Sequence, residues 1–251
     1  MTKDDKLLLA LVEDKLRQCE DNYMPVATDF LDLHQRSIVE NALKDLKPQC
    51  KVEFYGGYDD AERCVCCFVP DYTDAEQTAQ LAVVRVKALP GGKELTHRDY
   101  LGSLLGLGIK REKTGDIIVY QGGADIVVVS DLTDFISLNY DKVGRTLITV
   151  EVLPISQIRV VQHDFKEKED TVASLRMDNI VSSAFGVSRS KASEAIKRGI
   201  VFVNNVECFK VDKEAHIGDK IVFRGKGKAY LVESGGLSRK GRIYVKFKVF
   251  G

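Results

Sequence analysis

The sequence predicts an α+β fold made of three small modules, at residues 1–78, 79–162 and 173–251, with a charged linker at 163–172. Three observations support this prediction. The chain has 251 residues, which is enough for two or three small domains. Helical and strand-like hydrophobic periods alternate along the part before the linker. The part after the linker differs sharply from the rest in charge.

Charge is distributed unevenly, although the whole chain is neutral, with 37 basic and 37 acidic residues. Residues 171–251 hold 16 lysines and arginines against 7 acidic residues, a net charge of +9. Residues 1–170 hold 21 against 30, a net charge of −9. A basic domain on an acidic body is typical of proteins that bind nucleic acid through the basic part. The acidic body is expected to point away from the nucleic acid or to meet a protein partner.

The N-terminal module shows two helical and two extended segments, at residues 3–20, 28–46, 49–55 and 63–69. Thr28 or Asp29 is the predicted cap of the second helix. The first residues lead into a helix and not into a signal peptide. No apolar run approaches the ~20 residues that a membrane span needs. We therefore expect a cytoplasmic protein without a membrane partner.

The central module alternates strands and helices in the order βαββαβ, at residues 81–89, 96–107, 116–121, 125–129, 131–140 and 146–153. Ser130 or Asp131 is the predicted cap of its second helix. This order is the ferredoxin-like split βαβ arrangement, which RNA-recognition modules (RRM) also use. Those modules stack bases on aromatic residues of the sheet, but the middle strands here offer only Tyr120. Base stacking is therefore not expected on this sheet.

Six cysteines are present, and three of them lie in the short run Cys64-x-Cys-Cys67. A zinc site normally shows spaced pairs of cysteines, which this sequence lacks. We therefore expect buried free thiols in a reducing compartment, no metal site and no cofactor.

Two short helices, a turn and a strand are predicted within residues 175–204. Ser188 or Ser190 can cap the second helix, because a short hydroxyl accepts hydrogen bonds from the first free backbone N–H groups. Gly199 is placed to end that helix. Asn204-Asn205 suits a type I′ hairpin turn, in which both residues need a positive φ.

Basic residues surround the second of these helices. Its free N–H groups and its positive dipole end favour an anion, and Arg189 and Lys191 add full charges there. Arg176 and Asp178 carry opposite charges at close spacing and are expected to tie the two helices together. The alternative interpretation is a capped surface helix with solvated basic residues.

Several segments of the basic module keep a fixed order: Arg176-x-Asp178, Ser188-Arg-Ser-Lys-Ala192, Gly199, Val201-x-Val-Asn204, Gly218-Asp219, Val222-x-Arg-Gly225-Lys-Gly and Lys240-Gly-Arg242. This pattern resembles the S4 (αL-type) domain, a small module that binds structured RNA. The resemblance implies one basic face that docks on RNA. Its expected RNA-binding residues are Arg176, Ser188, Arg189, Ser190, Lys191, Lys197, Arg198, Asn204, Arg224, Lys226, Lys228, Arg239, Lys240 and Arg242.

A second resemblance covers nearly the whole chain. It rests on Gly56-Gly-Tyr58, on Ala61-Glu-Arg63 and on the run from Thr96 to Asp116. These motifs are similar to those of the bacterial YlmH family, whose members carry an S4 domain at the C-terminus and are usually encoded beside cell-division genes. The resemblance implies RNA binding on the ribosome, with the large subunit as the expected partner. For some members it implies rescue of stalled translation by holding peptidyl-tRNA.

The central module contains a second candidate contact with RNA or with a ribosomal protein. Its residues are His97, Arg98, Lys110, Arg111 and Lys113. The alternative interpretation is a helix N-terminus followed by a solvated basic turn, and both interpretations stay open on the sequence alone.

No catalytic residues are predicted, because the four histidines are scattered and no carboxylate pair lies near a base. We expect a non-catalytic protein that binds rRNA and tRNA in translation quality control. One alternative is an RNA-modifying enzyme or accessory resembling pseudouridine synthases, although Gly144-Arg145 is not followed by their catalytic Leu-Asp. The other is an adaptor linked to cell division, with RNA as its anchor.

Overall fold

The structure, a computed structural model, describes residues 2–91, 93–160 and 165–250. The chain divides into two compact units, residues 1–161 and 162–251. Both units combine helices with a β-sheet, so a mixed α and β fold is confirmed. Among the described residues, no helix has both the length and the apolar character needed to cross a membrane.

The described part of the first unit contains five α-helices and eight strands. In chain order these are α1 (Lys3–Asn22), β1 (Val26–Ala27), α2 (Leu33–Leu46), β2 (Lys51–Tyr55), β3 (Val65–Val69), α3 (Ala75–Ala79), β4 (Leu81–Ala88), α4 (His97–Gly106), β5 (Thr114–Tyr120), β6 (Gly123–Val129), α5 (Thr133–Asn139), β7 (Lys142–Val143) and β8 (Thr146–Pro154). A 3-10 turn at Arg111–Lys113 precedes β5. All ten segments predicted before the linker are present, with shifted bounds. The short elements β1, α3 and β7 were not predicted.

A three-stranded antiparallel sheet, in the order β1-β3-β2, lies at the start of the first unit. Its central strand β3 is buried on both faces: Cys66 and Phe68 pack with residues of α1 and α2, and Cys67 packs on the other side. The predicted cap of α2 is wrong. The N-cap is Asp32, because Thr28 instead accepts a hydrogen bond from the backbone N–H of Cys66 at 2.9 Å.

The buried thiols predicted for the cysteine run are confirmed. Cys64, Cys66 and Cys67 are free and at most 1% exposed. Burial raises the pKa of Cys64 to about 11 and that of Cys67 to about 12. These cysteines therefore act as small apolar residues that fill the core around β3.

A five-stranded antiparallel sheet, in the order β5-β6-β4-β8-β7, forms the rest of the first unit. Helices α4 and α5 cover one face through Tyr100, Leu104 and Ile136. The other face meets β3, since Val83 and Val127 share a core with Val65. This core continues across the boundary expected at residue 78. The predicted caps of α5 are wrong: Leu132 precedes the helix, and the Ser130 hydroxyl donates to the carbonyl of Gln80 at 2.6 Å.

The described part of the second unit contains one six-stranded sheet, in the order β11-β10-β12-β13-β14-β9, and two helices. In chain order its elements are β9 (Lys166–Val172), α6 (Met177–Phe185), α7 (Arg189–Lys197), β10 (Val201–Val203), β11 (Val206–Glu207), β12 (Lys220–Phe223), β13 (Gly227–Leu237) and β14 (Ile243–Phe250). Both helices pack on one face of the sheet, and the core between them includes Met177, Ile180, Ile196, Ile221 and Phe247.

Residues 166–172, expected to belong to a charged linker, form strand β9 instead. This strand pairs with β14 along its whole length, from Lys166 opposite Val249 to Val172 opposite Ile243. Cross-strand charge pairing supports the contact, because Nζ of Lys246 lies 3.0 Å from Oε2 of Glu167. Residues 163–164 of the expected linker lie outside the described residues.

Candidate nucleic-acid interface

The helices of the second unit meet at a buried carboxylate. Asp178 is 3% exposed, and its oxygens accept hydrogen bonds from Nε of Arg189 at 2.9 Å and from Nε of Arg176 at 3.3 Å. Burial by itself would raise the pKa of Asp178, but the hydrogen bonds from the two arginines outweigh burial and lower the pKa. The predicted contact of Arg176 with Asp178 is present, and Arg189 supplies the link between α6 and α7.

The N-terminus of α7 is capped as predicted. Ser188 is the N-cap, and its Oγ accepts a hydrogen bond from the backbone N–H of Lys191 at 3.3 Å. The hydroxyl oxygens of Ser188 and Ser190 lie 3.2 Å apart. Arg189, Ser190 and Lys191 are exposed, and the first turn of α7 contains no acidic residue. Hydroxyl groups and positive charges therefore lie together where the helix dipole favours an anion.

A second group of basic residues lies at the C-terminal end of α7. Lys197 and Arg198 are exposed there. The backbone N–H of Arg224 donates to the carbonyl of Ile200 at 2.9 Å, which places the β12–β13 turn and its Lys226 beside this end. Since α7 has nine residues, about 13 Å separates its two ends. The predicted residues on and beside α7 thus form two basic groups, one at each end of this helix.

Lys228 lies on β13 beside aromatic residues that were not predicted as a site. Its Nζ lies 5.1 Å from the ring centroid of Phe250, and Nζ of Lys248 lies 4.7 Å from that of Phe165. The ring of Tyr230 also packs against Phe250, with centroids 5.8 Å apart. Alternation along β14 was the available signal, because every second residue of that strand faces away from the core.

Asn204, a predicted RNA-binding residue, also has a role inside the protein. Its Nδ2 donates to Oδ1 of Asp219 at 2.8 Å, and its Oδ1 accepts from the backbone N–H of Lys220 at 2.9 Å. The amide is therefore used at both ends. The predicted hairpin turn is confirmed, since Asn204 and Asn205 have φ values of 53° and 66° between the paired residues of β10 and β11.

The hairpin between β13 and β14 carries three of the predicted RNA-binding residues. Arg239 and Lys240 are exposed at its turn. Arg242 is used otherwise: its Nε donates to the hydroxyl of Thr171 at 3.1 Å and to the carbonyl of the same residue at 3.2 Å. Arg242 therefore fixes the hairpin to β9, while Arg239 and Lys240 extend the exposed basic surface.

The predicted second contact in the first unit begins at the N-terminus of α4. Thr96 caps this helix and forms a capping box with Asp99, whose pKa falls to about 2 mainly because the carboxylate accepts the backbone N–H of Thr96. His97, Arg98 and Lys110 are exposed. This part fits the interpretation of a helix start followed by a solvated turn.

The other two residues of the predicted second contact are engaged. Nη1 of Arg111 donates to the carbonyls of Thr114 at 2.6 Å and of Gly115 at 3.1 Å. Nζ of Lys113 lies 2.6 Å from Oδ1 of Asp29. Arg111 is half-buried, and burial together with a neighbouring arginine lowers its pKa to about 10.

Tyr120 is held within the first unit. Its hydroxyl donates to Oδ1 of Asp125 at 3.0 Å, and the guanidinium of Arg159 lies 4.9 Å from its ring centroid. Asp125 is fully buried and also accepts two hydrogen bonds from Arg85, at 2.9 and 2.7 Å. These contacts use the polar part of the sheet face on which RNA-recognition modules stack bases.

Three comparisons with known proteins relate the chain to others. A family model described as "Putative RNA-binding domain in YlmH" matches residues 76–157. The Bacillus subtilis (strain 168) protein named ribosome-associated protein quality control protein P2 is 29% identical over 251 residues, covering 98% of this chain and 95% of that protein. A solved structure of the cell division protein ylmH from Streptococcus pneumoniae matches with a TM-score of 0.52 at 23% identity, over 63% of this chain and 97% of that one. At this identity the structural match shows the fold alone.

Proposed function

We propose that this chain, whose resemblance to the YlmH family is confirmed by a family model and a sequence relative, is a non-catalytic RNA-binding protein of the ribosome. The family description names RNA binding, and the name of the Bacillus subtilis relative places that protein in ribosome-associated quality control. We assign the main RNA contact to the second unit, as an S4 (αL-type) module. Its expected ligands are rRNA and tRNA on the large subunit.

The observation that carries this proposal is the pair of basic groups at the two ends of α7. Lys191 lies in the capped first turn, and Lys197 and Arg198 lie in the last turn beside Arg224. All four are exposed. A surface of this kind neutralises phosphates on neighbouring parts of a folded RNA and contributes affinity that falls steeply with salt.

Recognition is expected to depend on RNA shape more than on base sequence. The exposed groups are ammonium, guanidinium and hydroxyl groups, which bind phosphate and ribose oxygens. The nine-residue helix α7 holds the two basic groups at a constant separation, and the hydrogen bond from Arg189 to the buried Asp178 fixes this helix against α6. A fixed separation selects RNA whose phosphates lie at a matching distance.

The most buried carboxylates support a role without catalysis. Asp178 and Asp125 are fixed by arginine hydrogen bonds, and these bonds lower the pKa of both carboxylates against the effect of burial. A general acid or base needs a pKa near the working pH and a free path to its substrate. These two carboxylates stay ionised and bound inside the protein.

The proposed process is rescue of stalled translation in the cytoplasm, with the protein holding tRNA on the large subunit. The net charge of −9 on residues 1–170 repels an RNA backbone over most of the first unit, so we expect a protein partner for the surface outside its basic residues.

Co-sedimentation of the full-length protein with ribosomal particles across a salt series tests this function. The wild type is expected to co-migrate with large subunits at low salt and to crosslink to rRNA and tRNA. Lys191→Ala with Lys197→Ala is expected to shift the protein to the free fraction at lower salt, and Lys3→Ala with Lys6→Ala on α1 is the control of equal charge. If the wild-type protein sediments apart from ribosomal particles at every salt concentration, the ribosomal function is overturned. Chemically modified bases in the bound RNA would favour the RNA-modifying enzyme. Binding of the protein to a cell-division protein in the absence of RNA would favour the adaptor.

A further inference from the structure

Two arginines of the first unit approach each other at one carbonyl oxygen. Nε of Arg63 donates to the carbonyl of Thr114 at 3.0 Å, and Nη1 of Arg111 donates to the same oxygen at 2.6 Å. Nη2 of Arg63 also donates to the carbonyl of Phe30 at 3.1 Å. Both arginines are half-buried. Two full positive charges are thus held side by side in surroundings that water reaches only in part.

Backbone carbonyls, and not carboxylates, accept the hydrogen bonds of this arginine pair. Among the described residues no carboxylate oxygen lies within the 4.0 Å of an ion pair with either guanidinium. The nearby Asp116 is already used, since it accepts hydrogen bonds from the hydroxyl of Tyr58 at 2.8 Å and from the backbone N–H groups of Glu62 and Arg63. The nearby Asp32 caps α2.

His97 shares the electrostatic surroundings of the pair. Although His97 is exposed, partial desolvation by neighbouring protein atoms and the charge of Arg111 lower its pKa, while Asp116 and Glu62 oppose this effect. The pKa of Arg63 is likewise lowered by burial, and that of Arg111 by burial and by Arg63. All three pKa values are thus lowered, and a bound anion would raise each of them again by stabilising the positively charged form.

The sequence motifs that carry the family resemblance converge on this place. The loop Gly56–Arg63 and the run that ends at Asp116 are more than 50 residues apart, yet Asp116 joins them. The loop is tight at its start, because a Cβ on Gly56 would lie 2.5 Å from the carbonyl of Arg63. Arg63 joins distant segments through its contacts with Thr114 and Phe30, whereas Arg111 donates to carbonyls three and four residues further along its own segment. The second guanidinium adds repulsion, which has a use if an anion binds between them.

We propose that Arg63, Arg111 and His97 form a binding site for one phosphate group of RNA. Two planar guanidinium groups suit the several oxygens of a phosphate, and an imidazole beside them adds a further donor when it is protonated. This inference rests on the proposed function, because it makes the first unit a second RNA contact. The exposed Arg98 and Lys110 extend the positive surface outward, as a polymeric ligand requires.

The sheet face that RNA-recognition modules use is closed in this unit. Its apolar part packs against β3 through Val83 and Val127, and its polar part is held by the contacts of Tyr120 and Asp125. The RNA contact proposed for the first unit lies instead at the 3-10 turn and the loop Gly56–Arg63, where the arginine pair is placed.

Nuclear magnetic resonance of the full-length protein tests the site directly. The arginine Nε–H signals and the imidazole signals of His97 are followed during titration with inorganic phosphate, with a mononucleotide and with an RNA hairpin. The Nε–H signals of Arg63 and Arg111 are expected to shift with the RNA hairpin at far lower concentration than with the other two, and the pKa of His97 is expected to rise. A structural role for the arginines alone would leave the pKa of His97 unchanged.

Variants separate this inference from the proposed function. The site variants are His97→Ala and Arg111→Lys, which are small enough changes for the protein to be expected to fold. The control is Arg145→Lys, a substitution of the same kind at the exposed β7–β8 turn. Both site variants are expected to weaken RNA binding several-fold and to remove the signal shifts at Arg63. RNA binding with no response at Arg63, Arg111 or His97 would overturn the site and leave the proposed function intact. Equal responses to mononucleotide and RNA would overturn the assignment to RNA. Absence of RNA binding by the wild-type protein would overturn the proposed function itself.

Discussion

Nε of Arg189 lies 2.9 Å from Oδ2 of Asp178, so an arginine predicted to bind phosphate is part of the joint between two helices. Its side chain is still 57% exposed. Arg242 is used in a similar way by Thr171 on β9. The basic residues of the second unit therefore divide into those that hold the fold and those, such as Lys191 and Lys197, that are exposed for a ligand.

Asp178→Asn is expected to lower the free energy of unfolding by about 2 kcal/mol, because charge-assisted hydrogen bonds to a buried carboxylate are lost. The pKa of Asp178 is lowered in the folded protein, so its stabilisation is present above the unfolded pKa and is lost as the pH falls through the folded pKa. Urea unfolding should therefore separate variant and wild type at pH 7 and bring them together well below pH 3.8, the ordinary value. Asp134→Asn on the exposed side of α5 is the control, and a loss of stability that does not depend on pH would contradict the prediction.

Lys191→Ala with Lys197→Ala is expected to reduce the slope of log K against log salt for RNA binding by about 1.4 to 1.8, since each lysine neutralises about one phosphate. Both side chains are exposed, so the fold should not change. The measurement is a fluorescence titration with a structured RNA at five or more salt concentrations. Lys3→Ala with Lys6→Ala, which makes the same change of charge on α1, should keep the wild-type slope. Equal slopes for the two double variants would remove α7 from the interface.

Asn204→Gly is expected to destabilise the protein by about 1 to 2 kcal/mol, whereas Asn205→Gly should be neutral or slightly stabilising. Glycine tolerates the positive φ at both positions. Only Asn204 loses two hydrogen bonds, to Asp219 and to the backbone of Lys220. Thermal unfolding of the two variants directly compares how much the Asn204 and Asn205 side chains contribute to stability. RNA affinity of the folded Asn204→Gly variant should equal that of the wild type, and a large loss would restore Asn204 as an RNA ligand.

Local features of this chain were predictable from the sequence. The Ser188 cap, the Asn204-Asn205 turn and the end of α7 at Gly199 each depend on residues within a few positions of one another. Periodicity also located all ten segments before the expected linker. The conformation of each of these features is decided by residues that are close in sequence, so the sequence pattern is sufficient to predict them.

Features that depend on distant pairing were not predictable. The run Lys166–Asp170 has the composition of a linker, and it becomes a strand only because β14 supplies a partner edge and a matching lysine. Arg63 was named for its motif but not as a site residue, because its contacts with Thr114 and Phe30 join segments that are far apart in the chain. The contacts of Arg242 with Thr171 and of Asn204 with Asp219 were not predictable either, because each joins segments that are distant in the chain.

Gly115→Ala is expected to destabilise the first unit by about 1 to 3 kcal/mol. A Cβ at this position would lie 2.7 Å from the ring of Phe30 and 3.1 Å from Cβ of Val127, so the buried ring would have to move. The backbone carbonyl of Phe30 accepts a hydrogen bond from Arg63, so the same movement should disturb the arginine pair.

Gly102→Ala is the matched control for this substitution. Gly102 lies within α4, and a Cβ there meets no atom within 4 Å. Alanine at an exposed helical position is expected to stabilise the protein by about 0.5 to 1 kcal/mol, because glycine loses more conformational freedom on folding. Chemical unfolding of the two variants should therefore give changes of opposite sign. Equal stability of Gly115→Ala and the wild type would mean that Phe30 moves at little cost, and the close packing of this ring would then not be what positions Arg63.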